Sequence, residues 1–273
     1  MSEKNCRVFA IVNRKGGVGK TTTAIALAQG LAQKIEEDGG RVLLIDFDPQ
    51  GNVTASLQLE KREHDISNLL LNDCTLKECI VSAHRPEKGL NRPNLFIIPS
   101  SDELAEVKSE LMIKSAIGGR KATPVADVLQ ERLGGLRQLF DFIVVDCPPT
   151  LDIFSDAVYN FADEAIVPVK ADFLGEIGTG HHTQNIIEAQ KDGIDIKINC
   201  ILPTFFDPRL TIARSVLSNL VNTYGRKAIA YPIPRSTMFE QSPALDGQTI
   251  FELKPNSTAA KAYRSLVDRV YES

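Results

Sequence analysis

No run of about 18 apolar residues occurs in the 273-residue chain, so no helical membrane span is expected. The N-terminus, MSEKNCRVFAIVN, is polar for six residues and then turns directly into a strand-like run. That leaves no room for a signal peptide, and a cytoplasmic protein is expected. Cysteines are few: Cys6, Cys74, Cys79, Cys147 and Cys200 make an odd set of five with no C-x-x-C pair. A disulfide framework is therefore not expected, and small buried thiols are. Internal repeats are absent. So is a basic excess, since 31 Lys and Arg face 35 Asp and Glu for a net charge of −4. The charge is uneven, however. From Lys197 onward ten basic residues face six acidic ones, a balance of +4 over residues 197–273, and the rest of the chain carries −8.

What is present fits one α/β domain spanning residues 1–273. The composition, 43% hydrophobic and 24% charged, is that of a globular protein. Strand-like apolar runs recur at 7–13, 41–46, 94–99, 141–146, 164–169, 197–203 and 227–234. Several are apolar without strict alternation, as parallel strands covered on both faces are. Helical stretches lie between them, including 21–37, 101–113, 124–140, 210–224 and 256–272. The alternation predicts a doubly wound, mostly parallel twisted sheet with helices on both faces and ligands beyond the carboxyl ends of the strands. Residues 116–124, AIGGRKATP, read as an exposed loop.

The stretch NRKGGVGKTTT (13–23) follows a strand and opens a helix. Gly16, Gly17 and Gly19 allow a tight turn that aims backbone N–H groups, Val18 among them, at one point near a helix N-terminus. Such a nest holds a phosphate. Lys20 would reach the β- and γ-oxygens of a nucleotide, Thr21 would ligate Mg²⁺, and Thr22 continues the cradle. The usual first glycine of this loop is replaced by Arg14, and a second lysine, Lys15, stands five residues before Lys20. Two further stretches end in carboxylates. VLLIDFDPQGN (42–52) places Asp46 and Asp48 at the end of a strand, where they could orient water near Mg²⁺. DFIVVDCPPT (141–150) ends its apolar run in Asp146, fitting a carboxylate that holds the Mg²⁺ water shell.

K-G-G-V-G-K-T resembles the deviant Walker A motif of the ParA/MinD family of P-loop ATPases, and the chain is most similar to the small ParA-type partition and positioning members. The resemblance covers nearly the whole chain. It implies two monomers sandwiching two ATP molecules, with Lys15 crossing to the partner's nucleotide and Asp48 positioning the attacking water; Asp46 is assigned to the magnesium shell. It also implies slow, partner-stimulated hydrolysis. The late segment YPIPRSTMFEQSPALDGQTIFE (231–252) resembles the part of the family that lies beside the adenine, so Ile233, Pro234 and Met238 are candidates for the base pocket, with Thr204.

ParA-like members bind DNA without sequence preference through basic residues on one side of the ATP dimer. Arg209, Arg214, Arg226, Lys227, Arg235 and Lys254 are the candidates here, with Arg235 close enough to the base pocket for an internal role. Binding would depend on local focusing and be strongly salt-dependent. The resemblance further implies a ParB-like or cargo-adaptor activator, a nucleoid-associated location, and cargo such as a plasmid, a chromosome origin or a protein assembly. No N-terminal helix-turn-helix domain is expected. A MinD-like membrane role is the alternative. The last segment offers Ala259, Tyr263, Leu266, Val267 and Val270 at helical spacing, however, a core-facing helix rather than an anchor. Two other enzyme classes share the loop or the fold. An iron–sulfur reductase would need a second cysteine suitably placed after Cys147, and a small-molecule synthetase such as a dethiobiotin synthetase relative would need its own substrate. His181 and His182 have no third ligand at metal spacing. Residues 170–185 depart from the family's pattern, which leaves the partner surface open.

Overall fold

The computed structural model describes residues 6–60, 62–117, 123–149, 154–172, 183, 186–236 and 246–273. Among them seven strands form a sheet in the order β3-β4-β2-β5-β1-β6-β7. These are β1 (Arg7–Ile11), β2 (Val42–Asp46), β3 (Val81–Ser82), β4 (Leu95–Ile98), β5 (Phe142–Asp146), β6 (Glu164–Lys170) and β7 (Lys197–Thr204). All pairings are parallel except that of β3 with β4. The fold is the expected doubly wound sheet, with one short antiparallel edge strand that its two residues are too few to announce in sequence.

The near-continuous apolar runs arise because both faces are covered. Val8, Ala10, Leu43, Ile45, Ile143 and Val145 face one core; Phe9, Ile11, Val42, Leu44 and Val144 face the other. The first core packs under the helices Ile66–Leu71, Val128–Leu133, Ser155–Phe161 and Thr211–Tyr224. The second is closed by α1 (Lys20–Lys34) and the final helix (Thr258–Glu272). Alanine and leucine dominate α1 and favour the helix, and it is buried along most of its length because the sheet lies on one side and the final helix on the other. At their contact, a Cβ on Gly30 would stand only 2.4 Å from Val267 Cγ2, so glycine is what permits the approach.

Ser257 caps the final helix, its hydroxyl accepting from Ala260 N at 3.1 Å, a contact worth about 1 kcal/mol. Ala259, Tyr263, Leu266, Val267 and Val270 are all buried, so this amphipathic helix presents its apolar face to the core. No helix among the described residues is long and apolar enough to cross a membrane.

Two expectations are corrected. Residues 227–234 are not a strand of the sheet: a 3-10 turn at Arg226–Ala228 leads into a segment that touches the sheet through isolated bridges, Ile201 with Ile229 and Phe206 with Pro234. Pro232 and Pro234 have no N–H to donate, which prevents a continuous ladder. The single helix expected over 124–140 is a 3-10 turn, the helix Val128–Leu133 and a second 3-10 stretch, Gly134–Gln138, broken where Gly134 and Gly135 weaken the helical backbone. Most of the loop expected at 116–124 lies outside the described residues.

Candidate functional site

The strand order brings the carboxyl ends of β2, β5 and β1 side by side. Asp46 pairs in register with Asp146, and Asp146 with Ile11, two residues before the glycine-rich loop. The loop is tied to neighbouring strands at both ends. Asn13, buried, donates from Nδ2 to the carbonyl of Pro168 at 2.7 Å and accepts from Lys15 N at 2.9 Å. At the far end the Thr204 hydroxyl donates to the carbonyl of Val18 at 2.9 Å.

Between these anchors the backbone is open. No atom lies within 4 Å of where a Cβ would stand on Gly16 or Gly17, and Gly17 and Gly19 have φ of +69° and +87°. Gly19 is the N-cap of α1, with no capping side-chain hydrogen bond and no acidic residue in the first turn. The positive end of a 15-residue helix thus faces the loop uncompensated. Lys20 is buried, and its ammonium donates to the carbonyl of Lys15 at 3.2 Å. Burial lowers its pKa, and the charge of Asp146 is the strongest influence the other way.

Asp46 and Asp146 are fully buried, and Asp48 nearly so. Asp46 accepts from Asp48 N at 3.2 Å and Val53 N at 3.1 Å; Asp48 accepts from Gln50 N at 3.0 Å. Neither oxygen of Asp146 has a hydrogen-bond partner, although the nearby Thr21 hydroxyl and Lys20 ammonium favour its charged form. Burial pushes the Asp46 carboxyl up to about 7, with the Asp48 charge adding to it against the backbone donors. Burial, and then the charge of Asp46, raises Asp146 well above the usual carboxylate range. Among the described residues no three acidic side chains form a metal cluster, but a buried, unsatisfied carboxylate repelled by its neighbour suits a divalent cation such as Mg²⁺ held partly through water, whose charge would relieve the repulsion.

Lys15 is folded back within its own chain. Its Nζ lies 3.3 Å from Asp172 Oδ1, and Lys170 holds the other oxygen of that carboxylate at 3.1 Å. Beside the loop, Gly19, Thr22, Thr204, Phe205, Ile233, Pro234 and Tyr263 line a small pocket. Thr204, Ile233 and Pro234 therefore come together beside the loop, while Met238 lies outside the described residues. Asn13, Asp172 and Phe205 were not singled out by sequence, and Tyr263 was placed only on the core-facing side of the final helix. Phe205 holds φ at +52°, a conformation that costs energy for an aromatic residue. Only the doubled aromatic of PTFFD directly after β7 hints at it in the sequence.

All six basic candidates are exposed. Arg226 lines a groove of about 700 Å³ with Phe206, Pro208, Leu217 and Tyr231, and Arg209 and Arg214 flank its Pro208 end in sequence and by contact. Arg214 donates to the Pro208 carbonyl at 3.0 Å. Arg209 forms a two-pronged pair with Asp207, at 2.9 and 2.7 Å. Arg235 is near enough to lower the Asp207 pKa, and is exposed rather than internal. Lys227, whose carbonyl accepts from Arg269, and Lys254 are likewise exposed. His181 and His182 lie outside the described residues. Cys147 is fully buried behind Asp146.

A family model described as an AAA domain matches residues 6–200. The chain is 31% identical over 274 residues to the chromosome-partitioning ATPase Soj of Thermus thermophilus, covering 99% of this chain and 97% of that one. It is 30% identical over 264 residues to the chromosome partitioning protein ParA of Myxococcus xanthus, covering 95% and 86%. Among solved structures it is similar to cobyrinic acid a,c-diamide synthase from Mycobacterium smegmatis with a bound ATP analogue and magnesium, at 30% identity and a TM-score of 0.76, covering 98% of this chain and 96% of that one.

Proposed function

Because the chain belongs to the ParA/MinD family of P-loop ATPases, we propose that it is an ATP- and Mg²⁺-dependent dimer switch. As the ATP dimer it binds DNA without sequence preference, and it positions or segregates a cargo with an activator protein that stimulates hydrolysis. The observation carrying this reading is the meeting of an open phosphate nest, two lysines and the unsatisfied Asp146 at three adjacent strand ends.

In this reading the N–H groups from Gly16 to Thr22 receive the phosphates, and Lys20 shifts from the Lys15 carbonyl to the β- and γ-oxygens. Thr21, Asp46 and Asp146 hold the metal or its water shell; bound Mg²⁺ supplies charge neutralisation at the phosphate oxygens. Asp48 orients a water for attack, its buried and hydrogen-bonded carboxylate favouring positioning over proton removal. Thr204, Phe205, Ile233 and Pro234 flank the base. Lys15 of each subunit neutralises charge developing on the partner's leaving oxygen, so hydrolysis requires the dimer.

The exposed arginines around Pro208 supply the DNA face, and this location would make the protein cytoplasmic and nucleoid-associated. The buried apolar face of the final helix favours this over a membrane-held, MinD-like role. The synthase name borne by the M. smegmatis structure supports a second reading, phosphoryl transfer to a small acid; ADP formation strictly dependent on such a substrate would favour it. The primary reading is tested by comparing Lys15→Ala with Lys20→Ala. The first should retain ATP binding but lose activator- and DNA-stimulated hydrolysis, and the second should lose nucleotide affinity itself. Undiminished stimulation in Lys15→Ala would sink the proposal.

A further inference from the structure

We propose that Cys74 and Cys79 are a redox modification site, a thiol pair that closes to an intramolecular disulfide with a peroxide as oxidant. The site is remote in sequence from the nucleotide residues, and the inference stands independently of the proposed function. The two sulfurs lie 2.8 Å apart, less than 1 Å beyond the length of a disulfide bond, about 2.05 Å. The backbone between them is fixed. Cys79 ends the helical turn Leu76–Cys79, whose N-cap Thr75 forms a reciprocal capping box with Glu78, Thr75 N donating to Glu78 Oε2 at 2.7 Å. Closing the bond therefore requires side-chain movement more than rearrangement of the chain.

The two thiols differ in access. Cys79 is fully buried, its Sγ donating to the Asp65 carbonyl at 3.2 Å, whereas Cys74 is half-buried and open to a small reagent. Cys74 is thus the attacking sulfur and Cys79 the resolving one. The Cys74 thiolate attacks the O–O bond of ROOH, giving Cys74–SOH and ROH. The Cys79 thiol then displaces the hydroxyl, which leaves as water with the remaining thiol proton as the S–S bond forms. Two electrons pass from the thiols to the peroxide. Burial raises both thiols above their ordinary range, so the reaction is slow at neutral pH and quickens about tenfold per pH unit as the Cys74 thiolate fraction grows.

The test uses the full chain, freed of reductant, treated with hydrogen peroxide, alkylated and digested with trypsin. Trypsin cuts after Lys77, between the two cysteines, so reduced protein yields separate peptides 63–77 and 78–88. The oxidised protein should yield them joined, about 2 Da lighter than their sum and separable by dithiothreitol. Denatured thiol count should fall from five to three while the chain runs as a monomer on non-reducing gels. Cys200→Ser should leave the joined peptide intact, and Cys74→Ser should leave Cys79 reduced. Separate alkylated peptides after peroxide, Cys74 carried to the sulfinic acid beside an unchanged Cys79, or a Cys74 bond between chains would each overturn the proposal.

Discussion

Lys15 forms an ion pair with Asp172 of its own chain, Nζ to Oδ1 at 3.3 Å. The contact holds inward the side chain that the dimer would need to reach a partner. Both groups are about one-third exposed, at 29% and 35%, so the pair is worth at most about 1 kcal/mol. Asp172→Asn should therefore tighten ATP-dependent dimerisation by up to about fivefold, read by sedimentation with a non-hydrolysable analogue. Weaker dimerisation would instead place Asp172 among the interface contacts.

Lys15→Ala bears on rate rather than affinity. A cation that acts on developing charge contributes about 10²-fold or more to the chemical step, so stimulated ATP turnover should fall by that order while fluorescent-nucleotide binding is retained.

The buried carboxylates make the metal-free protein pH-sensitive. Asp46 and Asp146 are both raised in the folded chain above their ordinary carboxylate values. Their cost to stability is absent below the unfolded pKa and grows as pH rises toward the raised values. Asp146→Asn, measured in chelator without nucleotide, should gain about 1–3 kcal/mol at pH 8 and little at about pH 4 in urea unfolding, while losing hydrolysis. An equal gain at both pH values would show that the charge is not responsible.

Gly30→Ala replaces a weak helix former in the middle of α1 with the best one, a gain of about 1 kcal/mol in an exposed helix. Here the added methyl meets Val267 Cγ2 at 2.4 Å and Phe251 Cε2 at 3.3 Å. Overpacking should dominate, with a net loss of about 1–3 kcal/mol in denaturant unfolding. Gly30→Ala with Val267→Ala should show positive coupling, and additive effects would place the clash elsewhere.

For DNA, Arg209 is engaged by Asp207, whose carboxyl it holds down at about 2, whereas Arg226 stands exposed at the groove. Arg226→Ala should reduce the slope of log affinity against log salt by about 0.9. Asp207→Asn, which releases Arg209, should steepen it by a similar amount. Unchanged slopes in both would move the DNA face elsewhere.

Contiguous features were legible in the sequence and distant adjacencies were not. The strands read clearly because burial on both faces makes them apolar throughout. The 227–234 run misled for the same reason, being apolar, with its prolines the only warning. The glycine-rich loop and the strand-end aspartates are short contiguous stretches and could be read directly. Asn13, Asp172 and Tyr263 act through partners 155 to 240 residues away, Phe205 meets the loop at Gly19, and no local spacing records that. Cys74 and Cys79, five positions apart, match no thiol motif, and only the turn between them brings their sulfurs together.

The placement of β5 between β1 and β2 has a consequence for how the protein is made. β1 and β2 emerge early, yet they are not neighbours, and the gap between them is filled by a strand about 100 residues further along. A nascent chain that ends before Phe142 has the glycine loop and Asp46 but lacks both the strand that lies between them and Asp146 itself. Pairing across such separations is slow to form. A product truncated before that strand should therefore fail to complete the proposed nucleotide site.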